Sequence, residues 1–109
     1  ALNKAEVAKV FKEGQIEFDK AVQVAKQAAD MKGEWTRIGA EKSDTYRGEM
    51  LNGMAHGLGH VKKQSGEKYA GEFEHDVYHG YGELSFPDSS RYIGKFRHGM
   101  MHGVGYFKM

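Results

Sequence analysis

The chain has 109 residues, with 16 Lys and Arg against 15 Asp and Glu, and it contains 15 glycines, 6 tyrosines, 6 phenylalanines, one proline and no cysteine. This length fits one domain with or without an arm, and it argues against a large enclosed active site. The lack of cysteine excludes disulfides, thiolate metal sites and cysteine nucleophiles. Glycine and aromatic residues with little proline favour tightly turned antiparallel strands over disorder.

The longest apolar runs span only a few residues, so no membrane-spanning helix is predicted. The first residue is Ala1, which we interpret as the start of a processed form or a fragment, and no signal or transit segment is visible in the given sequence. We expect an intracellular protein, either cytoplasmic or peripheral to a membrane. Import into an organelle followed by removal of a transit peptide is an open alternative.

Residues 1–31 are predicted to form an amphipathic helical arm. Three roles are open for its apolar stripe: packing on the protein's own sheet, docking on another subunit, or insertion at a membrane surface. The polar face is not enriched in Lys and Arg, which disfavours the membrane. The apolar positions recur near every 3.6 residues; they are Val7, Phe11, Phe18, Val22, Ala25 and Ala29, and the first four are candidate partner-binding residues.

The ends of the arm carry helix signals. Asn3, followed three residues later by a glutamate, is typical of an N-cap, and Gly33 indicates a C-cap. Gly14 costs up to about 1 kcal/mol relative to alanine in a helix. The arm is therefore predicted to be one kinked helix or two helices, roughly 4–13 and 15–31.

Three segments then align without a gap at intervals of 23 residues. Tyr-x-Gly and His-Gly-x-Gly recur at the same places in each, which is very improbable by chance. The units are YRGEMLNGMAHGLGHVKKQSGEK (46–68), YAGEFEHDVYHGYGELSFPDSSR (69–91) and YIGKFRHGMMHGVGYFKM (92–109).

Each unit is predicted to contain two short strands joined by a turn, as at Asn52-Gly53 in the first unit. The fold class is mainly β with an N-terminal α arm, and its sheet is a single-layer antiparallel meander of about six strands. A single sheet cannot bury both faces by itself, so we expect the arm to cover one of them. The other face is predicted to form a partner-binding repeat groove over the glycines, from Tyr46, Met50, Tyr69, Phe73, Tyr92 and Phe96.

The unit Tyr-x-Gly-Glu-(Met/Phe), a turn and His-Gly-x-Gly closely resembles the membrane occupation and recognition nexus (MORN) repeat, over residues 46–109. The middle unit departs at Asp76, where a turn glycine is expected, so a looser turn is predicted. The last unit departs at Lys95, where an acidic residue is usual. Gly33-Glu34-Trp35 is similar to a degenerate half-unit and is expected to supply a cap strand within a linker, residues 32–45.

The glycines and histidines do not form a recognisable catalytic or metal site. No dinucleotide or P-loop fingerprint occurs. His56, His79 and His102 recur on every second strand, about 9–10 Å apart, too far to share one zinc ion. No set of a nucleophile, a base and an orienting group recurs or clusters in the sequence. We therefore predict no metal, no cofactor and no enzyme activity.

The charge balance also limits the partners. Residues 32–109 lack the basic stripe that nucleic-acid binding needs. The resemblance implies the family's proposed role in binding anionic phospholipids, which we keep as the alternative. Its candidate residues lie in small basic clusters and are Lys62, Lys63, Arg91 and Arg97.

The last strand is predicted to leave an apolar edge formed by Val104, Tyr106 and Phe107, guarded only by Lys108. Unprotected edges invite pairing with another strand. We therefore expect a protein partner or self-association. The predicted function is a non-enzymatic interaction scaffold or accessory subunit of a larger assembly, which binds through the groove, the edge and the arm. The alternative is a peripheral membrane adaptor.

Overall fold

The computed structural model describes residues 3–109, apart from the side chains of residues 7–12 and Val104. It consists of one long helix followed by an antiparallel sheet whose strands are hydrogen-bonded in chain order. The elements are α1 (Lys4–Ala29), β1 (Thr36–Ile38), β2 (Asp44–Leu51), β3 (Met54–Lys62), β4 (Lys68–Glu74), β5 (Val77–Ser85), β6 (Arg91–Arg97) and β7 (Met100–Lys108). The predicted mainly β meander with an N-terminal helix is confirmed.

Helix α1 runs without a break past Gly14, so of the two alternatives, one helix or two, the structure has one. The N-cap is confirmed, because Asn3 Oδ1 accepts a hydrogen bond from the Glu6 backbone N–H at 2.9 Å. The C-cap is Asp30 rather than Gly33. Gly33, at φ 117°, belongs instead to the connection that follows the helix.

The cap strand exists, but it begins just after the predicted Gly-Glu-Trp segment. Strand β1 pairs with the start of β2, where Thr36 lies opposite Tyr46. Its three residues bring the sheet to seven strands within the described part of the chain. A tight turn at Ala40–Lys42, in which Glu41 and Lys42 have positive φ, links β1 to β2.

The hairpin turns inside the three repeat units share one geometry, in which two consecutive residues have positive φ. These pairs are Asn52-Gly53, His75-Asp76 and His98-Gly99. This is the type I′ pattern that matches the twist of paired strands. The middle turn uses His75 and Asp76, with φ of 49° and 69°, and is not looser than the others. Asp76 Oδ1 accepts a hydrogen bond from the Ala55 N–H at 2.6 Å, which ties this turn to the preceding unit. The predicted looseness is therefore wrong.

Each repeat is built around a tyrosine that lies over a pair of opposed glycines. In the middle unit Gly71 lies opposite Gly82, and a Cβ on Gly82 would come within 2.5 Å of Tyr69 Cζ. Tyr69 Oη donates to the Glu72 carbonyl at 2.8 Å. Tyr46 and Tyr92 repeat both features, which explains why the Tyr-x-Gly spacing is constant.

The sheet has two different faces. The tyrosine face carries the repeat tyrosines, and the helix face, on the alternate residues, carries Tyr81, Lys95 and Tyr106. The tyrosine face holds most of the apolar core. Its buried side chains are Ile38, Tyr46, Ala55, Val61, Tyr69, Phe73, Tyr78, Leu84, Tyr92 and Phe96.

Candidate interaction surfaces

Helix α1 covers the helix face with its C-terminal half. Ala21, Ala25 and Ala28 are buried there, Ala28 in place of the predicted Ala29. The ring of Phe18 meets Tyr106 of β7 edge-on, with 5.4 Å between ring centroids. The arm thus packs on the protein's own sheet, which was one of the three predicted alternatives.

A polar link holds this half of the helix in place. Glu17 accepts a hydrogen bond from Tyr81 Oη at 2.7 Å and lies 3.3 Å from Lys95 Nζ. The hydrogen bond from Tyr81 and then the interactions with Lys95 lower the pKa of Glu17, and the same contact with Glu17 raises the pKa of Lys95. The carboxylate is therefore ionised at neutral pH and joins β5 and β6 to α1.

The link explains why the third unit has lysine at a usually acidic position. In the first unit Glu49 accepts a hydrogen bond from the Leu58 N–H at 2.7 Å, and in the second Glu72 accepts one from the Tyr81 N–H at 2.6 Å. At the equivalent place Lys95 instead pairs with Glu17. The departure from the repeat thus serves docking of the helix.

Trp35 forms a second contact region, near the other end of the helix face. Arg47 and Lys62 lie over its ring, 4.2 Å and 4.8 Å from the centroid, and His60 meets its edge at 5.0 Å. Burial is the largest cause of the lowered pKa of His60, which is therefore neutral at pH 7. This cluster covers the helix face where α1 ends, beside Met31.

The predicted groove residues lie mainly inside the protein. The five aromatic members are at most 6% exposed, whereas Met50 is 40% exposed. They form part of the core, and a role in partner binding stays a prediction. The five buried residues are Tyr46, Tyr69, Phe73, Tyr92 and Phe96.

The predicted edge is present at β7, which pairs with β6 on one side and has no strand on the other within the described residues. Tyr106 and Phe107 are each 50% exposed. Met100 and Met101, at the start of the strand, are also exposed. The predicted side chains of Val104, and of Val7 and Phe11 on the arm, lie outside the described part of the structure; Val22 is half-buried.

Only two of the four predicted lipid-binding residues lie in one row. Lys62 and Arg91 belong to a ladder of directly opposed residues that crosses β3 to β7. Lys63 instead lies over the Tyr78 ring and pairs with Glu67, and Arg97 is near the hairpin tips at the far end of β6. The members of this basic row are Lys62, Lys68, Ser85, Arg91 and Lys108.

Sequence reasoning missed this row, although its signal was visible. Lys68 and Arg91 are 23 residues apart, as are Lys62, Ser85 and Lys108, so two series of the repeat interleave across the sheet. Three of the row's cations line a cavity of about 570 Å³ beside the turns that contain Gly66 and Pro87.

Apart from His60, which packs against Trp35, the histidines lie toward the hairpin tips, and they do not converge on one point. His56 and His75 face each other with ring centroids 5.7 Å apart, and His79 Nε2 is 3.2 Å from Glu74. Among the described residues no group of three or more potential ligands is arranged to hold a metal ion.

Comparison with known proteins gives the family. No curated protein matches the chain. No helix in the described part of the chain is both long and apolar enough to cross a membrane. The family model of the MORN repeat, a non-catalytic repeat, matches residues 46–68, 69–91 and 92–108, which is more than half of the sequence. The chain therefore belongs to the MORN repeat family, whose repeats generally take part in protein or membrane interactions.

Proposed function

We propose that the protein is a non-enzymatic interaction scaffold or an accessory subunit of a larger assembly. The observation that carries this proposal is the edge strand β7, which is paired on one side only within the described residues. Four large apolar side chains are exposed along it, Met100, Met101, Tyr106 and Phe107. Natural proteins usually protect such an edge with charge or cover it, and Lys108 is its one charged residue.

The packing of the helix supports the same proposal. Its C-terminal half is already engaged by the sheet, and the apolar core is enclosed on the tyrosine face. The largest group of exposed apolar side chains in one described strand is therefore on β7. Exposed apolar side chains along an unpaired strand edge favour pairing with another strand.

A quantitative co-precipitation from the native source tests the proposal. The wild-type chain is compared with Phe107→Lys, which places a charge on the edge, and with Leu51→Lys, a matched change at a 48% exposed leucine on β2. We expect specific partners to be depleted with Phe107→Lys and retained with Leu51→Lys. Equal recovery with all three proteins would contradict a role for the edge.

The basic row supports the second candidate function, binding of anionic phospholipids. Its cations are spread over four strand spacings, about 19 Å. That width suits several headgroups rather than one small anion. Arg91 is 3.2 Å from Glu83, so part of the positive charge is already compensated. For this reason we place lipid binding second.

Vesicle flotation separates the two functions. Vesicles of phosphatidylcholine with phosphatidylserine are compared with phosphatidylcholine alone, at low and high salt. Lipid binding predicts salt-sensitive recovery that falls with Lys68→Ala plus Lys108→Ala and not with Arg97→Ala, which lies outside the row. Recovery that ignores the row variants would remove this candidate.

A further inference from the structure

We propose that Ser65, in the turn between β3 and β4, is a phosphorylation site for a protein kinase that recognises basic residues, and that its phosphate offsets the charge of the basic row. The site itself is independent of both proposed functions. The effect on the row deepens the second candidate function, binding of anionic phospholipids, and rests on it.

Two lysines precede this serine in the sequence. Lys62 and Lys63 are at the third and second positions before Ser65. No other serine or threonine of the sequence has two basic residues within the three positions that precede it. Kinases select substrates partly by such charge patterns, because acidic groups near the active site of the enzyme attract the cations. The pattern therefore distinguishes Ser65 from the other hydroxyl side chains.

The turn presents the serine and both lysines to solvent. Residues 64–66 are all exposed, and so is Lys62. The side chain of Lys63 pairs with Glu67 at 3.8 Å, yet it is still 38% exposed. The hydroxyl group and the two cations before it are therefore accessible to an enzyme.

The next unit contains the same turn 23 residues later, with an aspartate in place of the serine. In both turns, residues 63–67 and 86–90, the N–H of the first residue donates to the carbonyl of the fifth at 2.9 Å. The N–H of the fourth residue donates to the carbonyl of the first at 3.0 Å. The fourth residue has positive φ in both, 97° at Gly66 and 73° at Ser89. Because the backbones match, Asp88 indicates what an anion at position 65 would contact.

The turn of the second unit stabilises a negative charge at this position. Asp88 Oδ1 accepts a hydrogen bond from the Ser90 N–H at 2.9 Å, and Ser65 Oγ accepts one from the corresponding Glu67 N–H at 3.3 Å. The hydroxyl and then the N–H of Ser90 lower the pKa of Asp88. Phosphate oxygens are strong acceptors for such an N–H group. A phosphate on Ser65 therefore places an anion where the other copy of the turn already holds one.

The turn also closes one end of the basic row. Lys62 lies directly opposite Lys68, and residues 63–67 join them. Gly66, the residue after Ser65, lines the cavity that contains three of the row's cations. A phosphate carries about two negative charges at neutral pH and would be three residues from each of the two lysines. It would compensate their charge and weaken the attraction of the row for an anionic surface.

The reaction is transfer of the γ-phosphoryl group of a nucleoside triphosphate. A bond forms between Ser65 Oγ and the γ-phosphorus, while the bond from that phosphorus to the oxygen that bridges it to the β-phosphorus breaks. The nucleoside diphosphate leaves with that oxygen, and the hydroxyl proton passes to the catalytic base of the kinase. No group is oxidised or reduced.

Phosphorylation of the full chain in vitro tests the site. The enzyme is a purified kinase with basic specificity, the catalytic subunit of the cyclic-AMP-dependent kinase, with MgATP. We expect about one phosphate per chain, located at Ser65 by mass spectrometry, and none with Ser65→Ala. Ser89→Gly, a change at an exposed serine in the equivalent turn, should leave incorporation unchanged. Lys62→Ala plus Lys63→Ala should slow incorporation about tenfold.

Vesicle flotation with the mixture of phosphatidylcholine and phosphatidylserine measures the effect on the basic row. We expect the phosphorylated protein to be recovered less than the unmodified protein at low salt. Ser65→Asp should lower recovery in the same direction. Its melting temperature should equal or exceed that of the wild type, because Asp88 occupies the equivalent position.

Incorporation at another residue, incorporation that ignores both lysines, or no incorporation would overturn the site. A lower melting temperature of Ser65→Asp would contradict the equivalence of the two turns. Recovery that is unchanged by the phosphate, while Lys68→Ala plus Lys108→Ala lowers it, would overturn the effect on the row. If the unmodified chain does not bind the vesicles, the lipid function fails together with that effect, and incorporation at Ser65 still decides the site.

Discussion

Tyr81 Oη donates a hydrogen bond to Glu17 Oε2 at 2.7 Å, joining β5 to α1 across 64 residues of sequence. The same carboxylate lies 3.3 Å from Lys95 on the next strand. One glutamate thus connects two strands to the helix at the point where the helix reaches the edge of the sheet. This arrangement makes helix docking depend on charge.

The first prediction concerns pH. The pKa of Glu17 is lowered from its ordinary value of 4.5, first by the Tyr81 hydrogen bond. A carboxylate with a lowered folded-state pKa stabilises the fold above its unfolded-state pKa, and this contribution is lost as the pH falls through the folded value. We expect Glu17→Gln to lower the urea midpoint at neutral pH, and the difference from wild type to close below about pH 4.5. Glu13→Gln, an exposed change on the same helix, is the control, and a difference that persists in acid would contradict the explanation.

The second prediction exchanges the two charges. Lys95→Glu restores the usual repeat residue but places a second carboxylate beside Glu17, and we expect a lower melting temperature. Adding Glu17→Lys recreates an attractive pair and should recover most of the loss. A double-mutant cycle over the four proteins measures the coupling. If the two changes were simply additive, the pair would not be the link described above.

The third prediction concerns the glycine beneath Tyr69. A Cβ on Gly82 would lie 2.5 Å from Tyr69 Cζ, and this ring is fully buried and stacked on Tyr78 with 3.9 Å between centroids. We expect Gly82→Ala to lower the free energy of unfolding by about 3 kcal/mol through overpacking. Gly53→Ala, at φ 79° with open space around it, should cost only about 1 kcal/mol from backbone strain. Chemical denaturation measures both, and equal costs would show that the tyrosine moves aside.

The fourth prediction concerns the middle hairpin turn. Asp76→Ala leaves the buried Ala55 N–H without its acceptor and keeps a Cβ at φ 69°. We expect a loss of about 1–3 kcal/mol in the free energy of unfolding. Asp76→Asn keeps an acceptor oxygen and tolerates positive φ, so it should stay close to wild type. Should both variants unfold at the same denaturant concentration, the carboxylate would not be tying the two units together.

The repeat made much of the sheet predictable, and the reason is local. Tyr69 must cover Gly71 and Gly82, so its spacing records both strand pairing and register. The order of the strands and the edge at β7 follow from the same spacing. The effect of Asp76 on its turn was predicted wrongly because its side chain is held by the Ala55 N–H. That hydrogen-bond donor lies 21 residues away, so the local sequence pattern gives no sign of it.

The helix was less predictable because its continuity and docking depend on nonlocal contacts. The free-energy cost of Gly14 in a helix is small compared with the stabilisation of a 26-residue helix packed on a sheet. The partner of Glu17 could not be identified, since many charges on the arm looked equivalent. Lys95 was recognised as a departure from the repeat, but its reason, the contact with Glu17, depends on how the helix packs on the sheet.

The last prediction tests whether Gly14 has any structural role. It lies in a continuous helix with open space at its Cβ, and alanine is about 1 kcal/mol more favourable than glycine in a helix interior. Gly14→Ala should therefore raise helical circular dichroism and the melting temperature. Gly33→Ala is the matched control: it also has open space, but its φ of 117° disfavours a side chain, so it should lower the melting temperature. A loss of stability in Gly14→Ala would mean that the helix needs flexibility at the point where it leaves the sheet.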